Sequence, residues 1–440
     1  MLILVFVLNF NLSCSESETS KMLSYLSILI LVIIGAHLCM SLFTSRKQSQ
    51  LVQARLTAEA YLMEQEVNKL VNEAQLRERE SDSWFGWRKF RVSEIHVEND
   101  TVKSFYLIPH DGKTLPTYLP GQHLTFRLKV PGQSKPIVRC YSLSDDGNKT
   151  SHYRVSIRRQ PAPKGSKDMP DGLSSCFFHD QVEANDILDV KAPAGKFYLD
   201  INESTPIALV GGGIGLTPSL SMLNTLASSG SKRQVFLFYA VRDINDLIMA
   251  KHFTALEQTM AHLKVHYFFA DLDQKLITEQ RHQGFVSADL MFKLMSGTVN
   301  PIDVDYYVCG PPPMMDSIVS GLGERNIDSQ RIHFESFGPA SIRKRDTSKH
   351  SNSDSAHHSV RFHLSENEIK WNSSSGTLLE AAEDAGIPME SGCRSGNCGA
   401  CLTAVLSGEV DYIDEPGTDV ETGSCLPCIA IPKSKLTLNA

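Results

Sequence analysis

The chain has no basic excess. Its 440 residues carry 43 Lys and Arg against 50 Asp and Glu, a formal net charge of −7, which excludes a protein built to neutralise nucleic-acid phosphates. Cysteine is sparse. There are ten, and six of them (Cys14, Cys39, Cys140, Cys176, Cys309, Cys425) stand apart from any cluster. That is not the dense, even framework of a small secreted domain, and it fits a reducing compartment. No basic residue precedes the first apolar run, Met1–Leu12, so that run lacks the positive n-region of a signal peptide. Met22 would make a cleaner beginning than Met1, and no role is assigned to a leader of residues 1–21. No Asp, Glu, Lys or Arg occurs from Leu23 to Phe43, and no Gly or Pro from Ser45 to Glu80.

These two absences are informative. An uncharged apolar stretch of this length crosses ~30 Å of hydrocarbon as a helix, so residues 22–43 are expected to form a transmembrane helix, with His37 a neutral passenger. Glu16, Glu18 and Lys21 flank it on one side and Arg46, Lys47 and Arg55 on the other. The basic flank places the carboxyl-terminal bulk in the cytoplasm, on a single-pass cell-membrane protein. Residues 44–82, rich in Gln, Glu, Arg, Ala and Leu, predict a helical stalk. It is either a plain spacer or a dimerising coiled coil; Leu62, Val67, Leu70, Val71 and Ala74 recur at roughly helical spacing.

The remainder is long enough for several domains. Residues 84–203 hold short β-like runs broken by Gly and Pro ("VKSFYLIP", "HLTFRLKV", "YRVSIRR", "DILDVKAP"), which predict an antiparallel β-barrel. Residues 204–337 alternate buried strands with amphipathic helices, predicting an α/β domain with a parallel sheet. Residues 338–358 are polar and read as a flexible linker, with His357 and His358 solvated within it. Residues 359–440 form a last compact unit.

Within that unit "ESGCRSGNCGACLTAVLSG" crowds Cys393, Cys398 and Cys401 into nine positions. A disulfide reading fits a reducing compartment poorly. Zinc usually takes paired C-x2-C units, and the first gap here is too long. The C-x4-C-x2-C spacing is that of plant-type [2Fe–2S] sites. Gly392, Gly396 and Gly399 allow a tight path that aims backbone amides at the sulfurs. Cys425 and Cys428 both lie where a fourth thiolate belongs. The segment "TLLEAAEDAGIPMESGCRSGNCGACLTAVLSGEVDY" resembles the α+β (β-grasp) ferredoxin domain fused to flavin reductases of the ferredoxin–NADP reductase type. In that family the last ligand stands four residues before a proline; Cys428, in "CIAIP" ending at Pro432, meets this and Cys425 does not.

The same family resemblance runs upstream. "RCYSLS" (Arg139, Cys140, Tyr141, Ser142, Leu143, Ser144) resembles its R-x-Y-S flavin motif. By that resemblance Arg139 holds a flavin phosphate, Tyr141 packs on the ring and Ser142 bonds near the reactive nitrogen. "DGLSSCF" is similar to the family's G-x-x-S turn, implying that Gly172 and Ser175, or Ser174 in its place, hold the pyrophosphate at a helix start. "ALVGGGIGLTP" is a strand, a glycine loop (Gly212, Gly213, Gly215, Thr217) and a helix beginning at Pro218; it resembles the family's dinucleotide loop. "YVCGPPPMM" resembles the C-G-P segment, placing Cys309 beside the nicotinamide with Gly310 and Pro311 shaping the loop. "FESFG" resembles the closing segment, where Glu335 and Phe337 border the flavin. Arg242 ends the second strand, where a 2′-phosphate would be read, but Asp243 and Asp246 follow and would repel it. NADH is therefore expected over NADPH, and the resemblance of "RCYSLS" with "GLSS" to the family implies FAD over FMN.

The resemblance, which covers residues 84–440, implies an NAD(P)H:acceptor oxidoreductase in which Tyr141, Ser142, Cys309 and Glu335 do the catalytic work; the apolar run of residues 22–43, outside it, adds the membrane anchor. Electrons would pass from NADH through FAD and the cluster to an oxygenase, hydroxylase, desaturase or other redox partner. A redox sensor made of the same modules is the alternative.

Overall fold

A computed structural model describes residues 18–133, 135–162, 171–337, 357–413 and 416–440. Residues 1–17 of the leader and 338–356 of the linker lie outside the described residues. Contacts divide the chain into two units, Met1–Arg77 and Glu78–Ala440.

The first unit is helical. Helix α1 runs unbroken over Glu18–Asp82. The two segments expected to be helical, 22–43 and 44–82, lie on this one helix, with no helix-breaking residue at their junction. Leu23–Thr57 is long and apolar enough to cross a membrane by length and composition, and Leu29, Leu31 and Ile33 are exposed on it. Arg55 donates to Glu59 one turn on, at 2.7 Å, an exposed pair that adds little.

In the second unit, six antiparallel strands come first: β1 (Arg88–Asn99), β2 (Val102–Pro109), β3 (His123–Leu128), β4 (Ile137–Ser142), β5 (Tyr153–Arg158) and β6 (Ile187–Val190), in the order β4-β3-β6-β1-β2-β5. A Leu143–Val155 bridge joins the two edges, making the sheet barrel-like. Alternation sends Phe90, Phe105, Phe126, Tyr153 and Val155 inward. Helix α2 (Leu173–Asp180) plugs the barrel with Phe178, whose ring stands edge-on to Phe105, Phe126 and Tyr141 at 5.1, 5.4 and 5.3 Å.

A parallel sheet follows, built of β7 (Ile207–Gly212), β8 (Val235–Val241), β9 (Leu263–Phe269), β10 (Arg281–Gln283), β11 (Asp305–Cys309) and β12 (Ile332–Glu335). Their order is β10-β9-β8-β7-β11-β12. The chain builds outward from β7 to β10 and then returns to the other side. The strand order therefore reverses between β7 and β11, and a crevice opens where their carboxyl ends diverge. Helices α3 (Leu216–Ser228), α4 (Ala250–Thr259), α5 (Ala288–Met295) and α6 (Pro312–Gly323) cover the sheet. Helix α3 starts at Leu216, two residues before the expected Pro218, because a short 3₁₀ turn over Gly213–Gly215 already winds the chain.

The last module has a five-stranded sheet in the order β14-β13-β19-β15-β17 and a β16-β18 pair. Its strands are β13 (His358–Phe362), β14 (Asn367–Trp371), β15 (Thr403–Ser407), β16 (Val410–Tyr412), β17 (Ser424–Cys425), β18 (Ala430–Pro432) and β19 (Leu436–Leu438). Helix α7 (Leu378–Asp384) opens with a Thr377–Glu380 capping box. His358 is not a linker residue: it pairs with Trp371 across β13 and β14, and the two rings stack at 6.2 Å.

Candidate functional site

Two loops meet at the crevice between β7 and β11. The approach is so close that a Cβ on Gly215 would stand 2.4 Å from the Cys309 carbonyl oxygen, and one on Gly212 would stand 2.6 Å from Pro311 Cδ. Thr217 donates its hydroxyl to the Ile214 carbonyl at 3.0 Å, tying the start of α3 to the loop, and Pro218 is buried within that helix. Cys309 is fully buried, and burial pushes its thiol well above the usual range. Beyond Gly213 a cavity of about 680 Å³ opens, bordered by Tyr239, Arg242, Asp246, Phe285 and Pro311. Arg242 is held by both predicted carboxylates, Asp243 and Asp246, each at 3.4 Å, and Arg158 reaches Asp246 at 3.6 Å.

A second cavity, of about 260 Å³, lies beside the barrel. Tyr141, Ser142, Thr217, Glu335 and Phe337 border it, from three separated segments of the chain. The Tyr141 hydroxyl bonds Ser174 at 2.7 Å, and burial pushes it up to about 12. Leu143 faces the barrel core. Ser175 accepts from the Gln160 amide at 3.1 Å and donates to the Gly172 carbonyl at 3.1 Å, so its hydroxyl closes the turn. Arg139 does not point to that turn through any bond described. It donates to the Val138 and Gly392 carbonyls at 2.8 and 3.0 Å. Glu335 Oε1 lies 3.9 Å from His123 Nδ1. Burial, and then the Cys393 sulfur, push Glu335 up to about 8; burial lowers His123 to about 4. Both shifts favour the uncharged forms, the protonated carboxyl and the neutral imidazole. Glu335 Oε2 and His123 Nε2 are buried without partners, the kind of polar vacancy a bound planar heterocycle would fill. The residues present fit a flavin.

The third wall of this cavity comes from the cysteine loop: Gly392, Cys393, Ser395 and Asn397. Amides of Ser395, Asn397 and Cys398 donate to Cys393 Sγ at 3.5, 3.2 and 3.3 Å. Amides of Cys393 and Ala400 donate to Cys398 Sγ at 3.2 and 3.4 Å. Gly396 and Gly399 take the left-handed conformation that makes this path possible. Cys401 and Cys428 form a second buried pair, Sγ to Sγ 3.2 Å. Cys425 instead sits in β17 and packs in the domain core with Ala430, Leu436 and Leu438. Two thiol pairs, one of them already wrapped in amide donors, fit a [2Fe–2S] cluster.

A flavin cavity, a dinucleotide crevice and a thiol cage in one chain define a pyridine-nucleotide-dependent flavin and iron–sulfur oxidoreductase. Residues 89–198 match the oxidoreductase FAD-binding domain family, 209–320 the oxidoreductase NAD-binding domain family and 362–433 the 2Fe-2S iron-sulfur cluster binding domain family. The chain is 35% identical over 275 residues to a flavohemoprotein of Halalkalibacterium halodurans, covering 61% of this chain and 64% of that one. A flavohemoprotein of Bacillus thuringiensis is 35% identical over 276 residues, covering 61% of this chain and 66% of that one. The chain thus spans just under two thirds of these relatives. Among solved structures, the FAD/NAD-binding domain of nitric oxide dioxygenase from Vibrio cholerae is 30% identical at a TM-score of 0.50, covering 58% of this chain and all of that one. Phthalate dioxygenase reductase is 27% identical at a TM-score of 0.51, covering 81% of this chain and 98% of that one. The chain belongs to the ferredoxin-reductase-type flavin oxidoreductases that carry a carboxyl-terminal [2Fe–2S] domain, with FAD, NAD(H) and the cluster as cofactors.

Sequence reasoning missed His123, Cys140 and Asn397. All three border the 260 Å³ cavity. Asn397 donates to Glu335 at 3.3 Å, joining the cluster loop to the NAD-binding module. Only Cys140 carried a signal, its place inside the flavin motif. The other two reach the site through pairings distant in sequence.

Proposed function

We propose that this chain is an NADH-dependent electron-transfer reductase that passes electrons one at a time to a separate redox protein. One observation supports this above others: the flavin motif, the Glu335–Phe337 segment and the cysteine loop border a single cavity of about 260 Å³, so donor and acceptor groups need no long path between them. FAD supplies the chemistry that turns a hydride into single electrons, and the cluster carries one electron at a time.

The chain's own residues bind and orient. The loops of Gly212–Thr217 and Cys309–Pro311 admit a dinucleotide backbone. Arg242, neutralised by Asp243 and Asp246, leaves little positive field for a 2′-phosphate, which favours NADH. Tyr141 offers a ring face and Ser142 a hydroxyl. Glu335 holds a proton at neutral pH beside them. Cys393, Cys398, Cys401 and Cys428 hold the cluster. Gly172, Ser174 and Ser175 form the turn for the phosphate end, while Arg139 borders the cavity and holds the cysteine loop through the Gly392 carbonyl.

Helix α1 anchors the reductase at a membrane over residues 22–43, and its remaining turns serve as a spacer and a dimer contact. An oxygenase, hydroxylase or desaturase is the class of acceptor that the likeness to phthalate dioxygenase reductase favours. Anaerobic stopped-flow mixing with NADH tests the reading: flavin bleaching should be accompanied or followed by cluster reduction within one turnover. A cluster that stays oxidised beside a fully reduced flavin refutes it.

A further inference from the structure

We propose that Cys140, in the flavin module, is a positioning residue of the iron–sulfur site: its thiol donates a hydrogen bond to the Cys393–Cys398 ligand pair and eases the cluster's reduction while the two modules are docked.

Cys140 stands in β4 opposite Thr125. Strand alternation turns it away from Arg139 and Tyr141 and onto the face of Val138. That face meets the cysteine loop: Val138 Cγ1 lies 3.2 Å from where a Cβ on Gly392 would stand. The three sulfurs of Cys140, Cys393 and Cys398 all lie within 4.8 Å of one another. Thr125 Oγ1, itself buried, lies 3.4 Å from Cys140 Sγ. With the threonine hydroxyl donating to this sulfur, the cysteine S–H is left to point at the ligand pair. The donors described to those two sulfurs are backbone amides of their own loop. Cys140 differs from them in belonging to a different module.

The consequence follows from charge. Reduction adds negative charge to the cluster, and donors to its sulfurs stabilise the reduced form. Loop amides travel with the cluster wherever it goes. A donor fixed in the flavin barrel acts only when the cluster faces the flavin. The cluster is therefore a better electron acceptor in the docked arrangement than it is away from it. Asn397 to Glu335 and Arg139 to the Gly392 carbonyl hold the same docking face.

This inference rests on the cluster reading above. Its test uses the full-length, cofactor-loaded protein and two variants. Cys140→Val keeps a strand-compatible side chain with no donor; Cys140→Ser keeps a donor. Redox titration followed by EPR, with ENDOR after exchange into deuterated water, reads the cluster directly. In Cys140→Val, one exchangeable proton coupled to the reduced cluster should vanish, and the electron equilibrium should shift from cluster toward flavin roughly three- to tenfold, the weight of one hydrogen bond. Cys140→Ser should restore the equilibrium. A Cys140→Val protein whose proton couplings and equilibrium match the parent overturns the proposal, as does a Cys140→Ser protein indistinguishable from Cys140→Val. A parent protein with no iron would instead defeat the cluster reading itself.

Discussion

Gly215→Ala probes how the dinucleotide loop is built. Gly215 has φ −62° and ψ −3°, a conformation open to any residue, so the glycine is required for space and not for its backbone freedom. A Cβ there would lie 2.4 Å from Cys309 O, 2.6 Å from Cys309 C and 2.8 Å from Gly310 Cα. Ordinary contact begins near 3.4 Å, so one loop must retreat by about 1 Å. All three neighbours are backbone atoms and none can rotate away. Overpacking of this kind costs about 1–3 kcal/mol, or roughly 3–12 °C in Tm for a module of this size. A shift of ~1 Å at the nicotinamide end can slow hydride transfer by up to ~10²-fold. Thermal unfolding by circular dichroism reads the first effect and anaerobic flavin reduction by NADH the second. Gly230→Ala, just past the far end of α3, is the control. Its φ of +64° is strained for alanine, by about 1 kcal/mol, but nothing lies within 4 Å of where its Cβ would stand, and flavin reduction should match the parent. A Gly215→Ala protein that melts with the parent and is reduced at the parent rate refutes the close-approach argument.

Other expectations follow from single residues. Cys428→Ala should lose the cluster's iron and visible absorption, whereas Cys425→Ala should keep both and lose about 1 kcal/mol of stability from its core; the reverse iron contents would move the fourth ligand to Cys425. Asp246→Asn should release Arg242 and raise kcat/KM with NADPH roughly tenfold, ~1.4 kcal/mol; an unchanged NADPH-to-NADH ratio would show that this pairing does not set the preference. Burial lowers His266, on β9, to about 4 from an ordinary 6.5. The unfolded chain therefore takes up a proton between pH 6.5 and 4 that the folded chain does not. Stability is full above pH 6.5 and falls by about 3 kcal/mol as the pH drops to 4. Urea melts at pH 7 and 4.5 should show the loss, and His266→Phe, stacked in place on Phe238 at the same 5.6 Å spacing, should reduce it. An equal acid loss in that variant would place the sensitivity elsewhere.

The sequence by itself determined the order of the modules and the chemistry each carries. Hydrophobic period and local spacing are written in neighbouring residues, so the barrel runs, the strand–helix alternation and the C-x4-C-x2-C loop need no partner to be read. The same locality explains the errors. Pro218 looks like a helix start, but the glycine loop before it has already turned, and His358 looks like linker until Trp371 pairs with it. Only the tertiary structure decided what the modules present to one another. Cys140 faces Cys393 from 253 positions away, Asn397 meets Glu335, and Arg139 holds the Gly392 carbonyl. These contacts depend on how a barrel edge and a loop pack together. Packing couples residues by distance in space, and no periodicity along the chain encodes it.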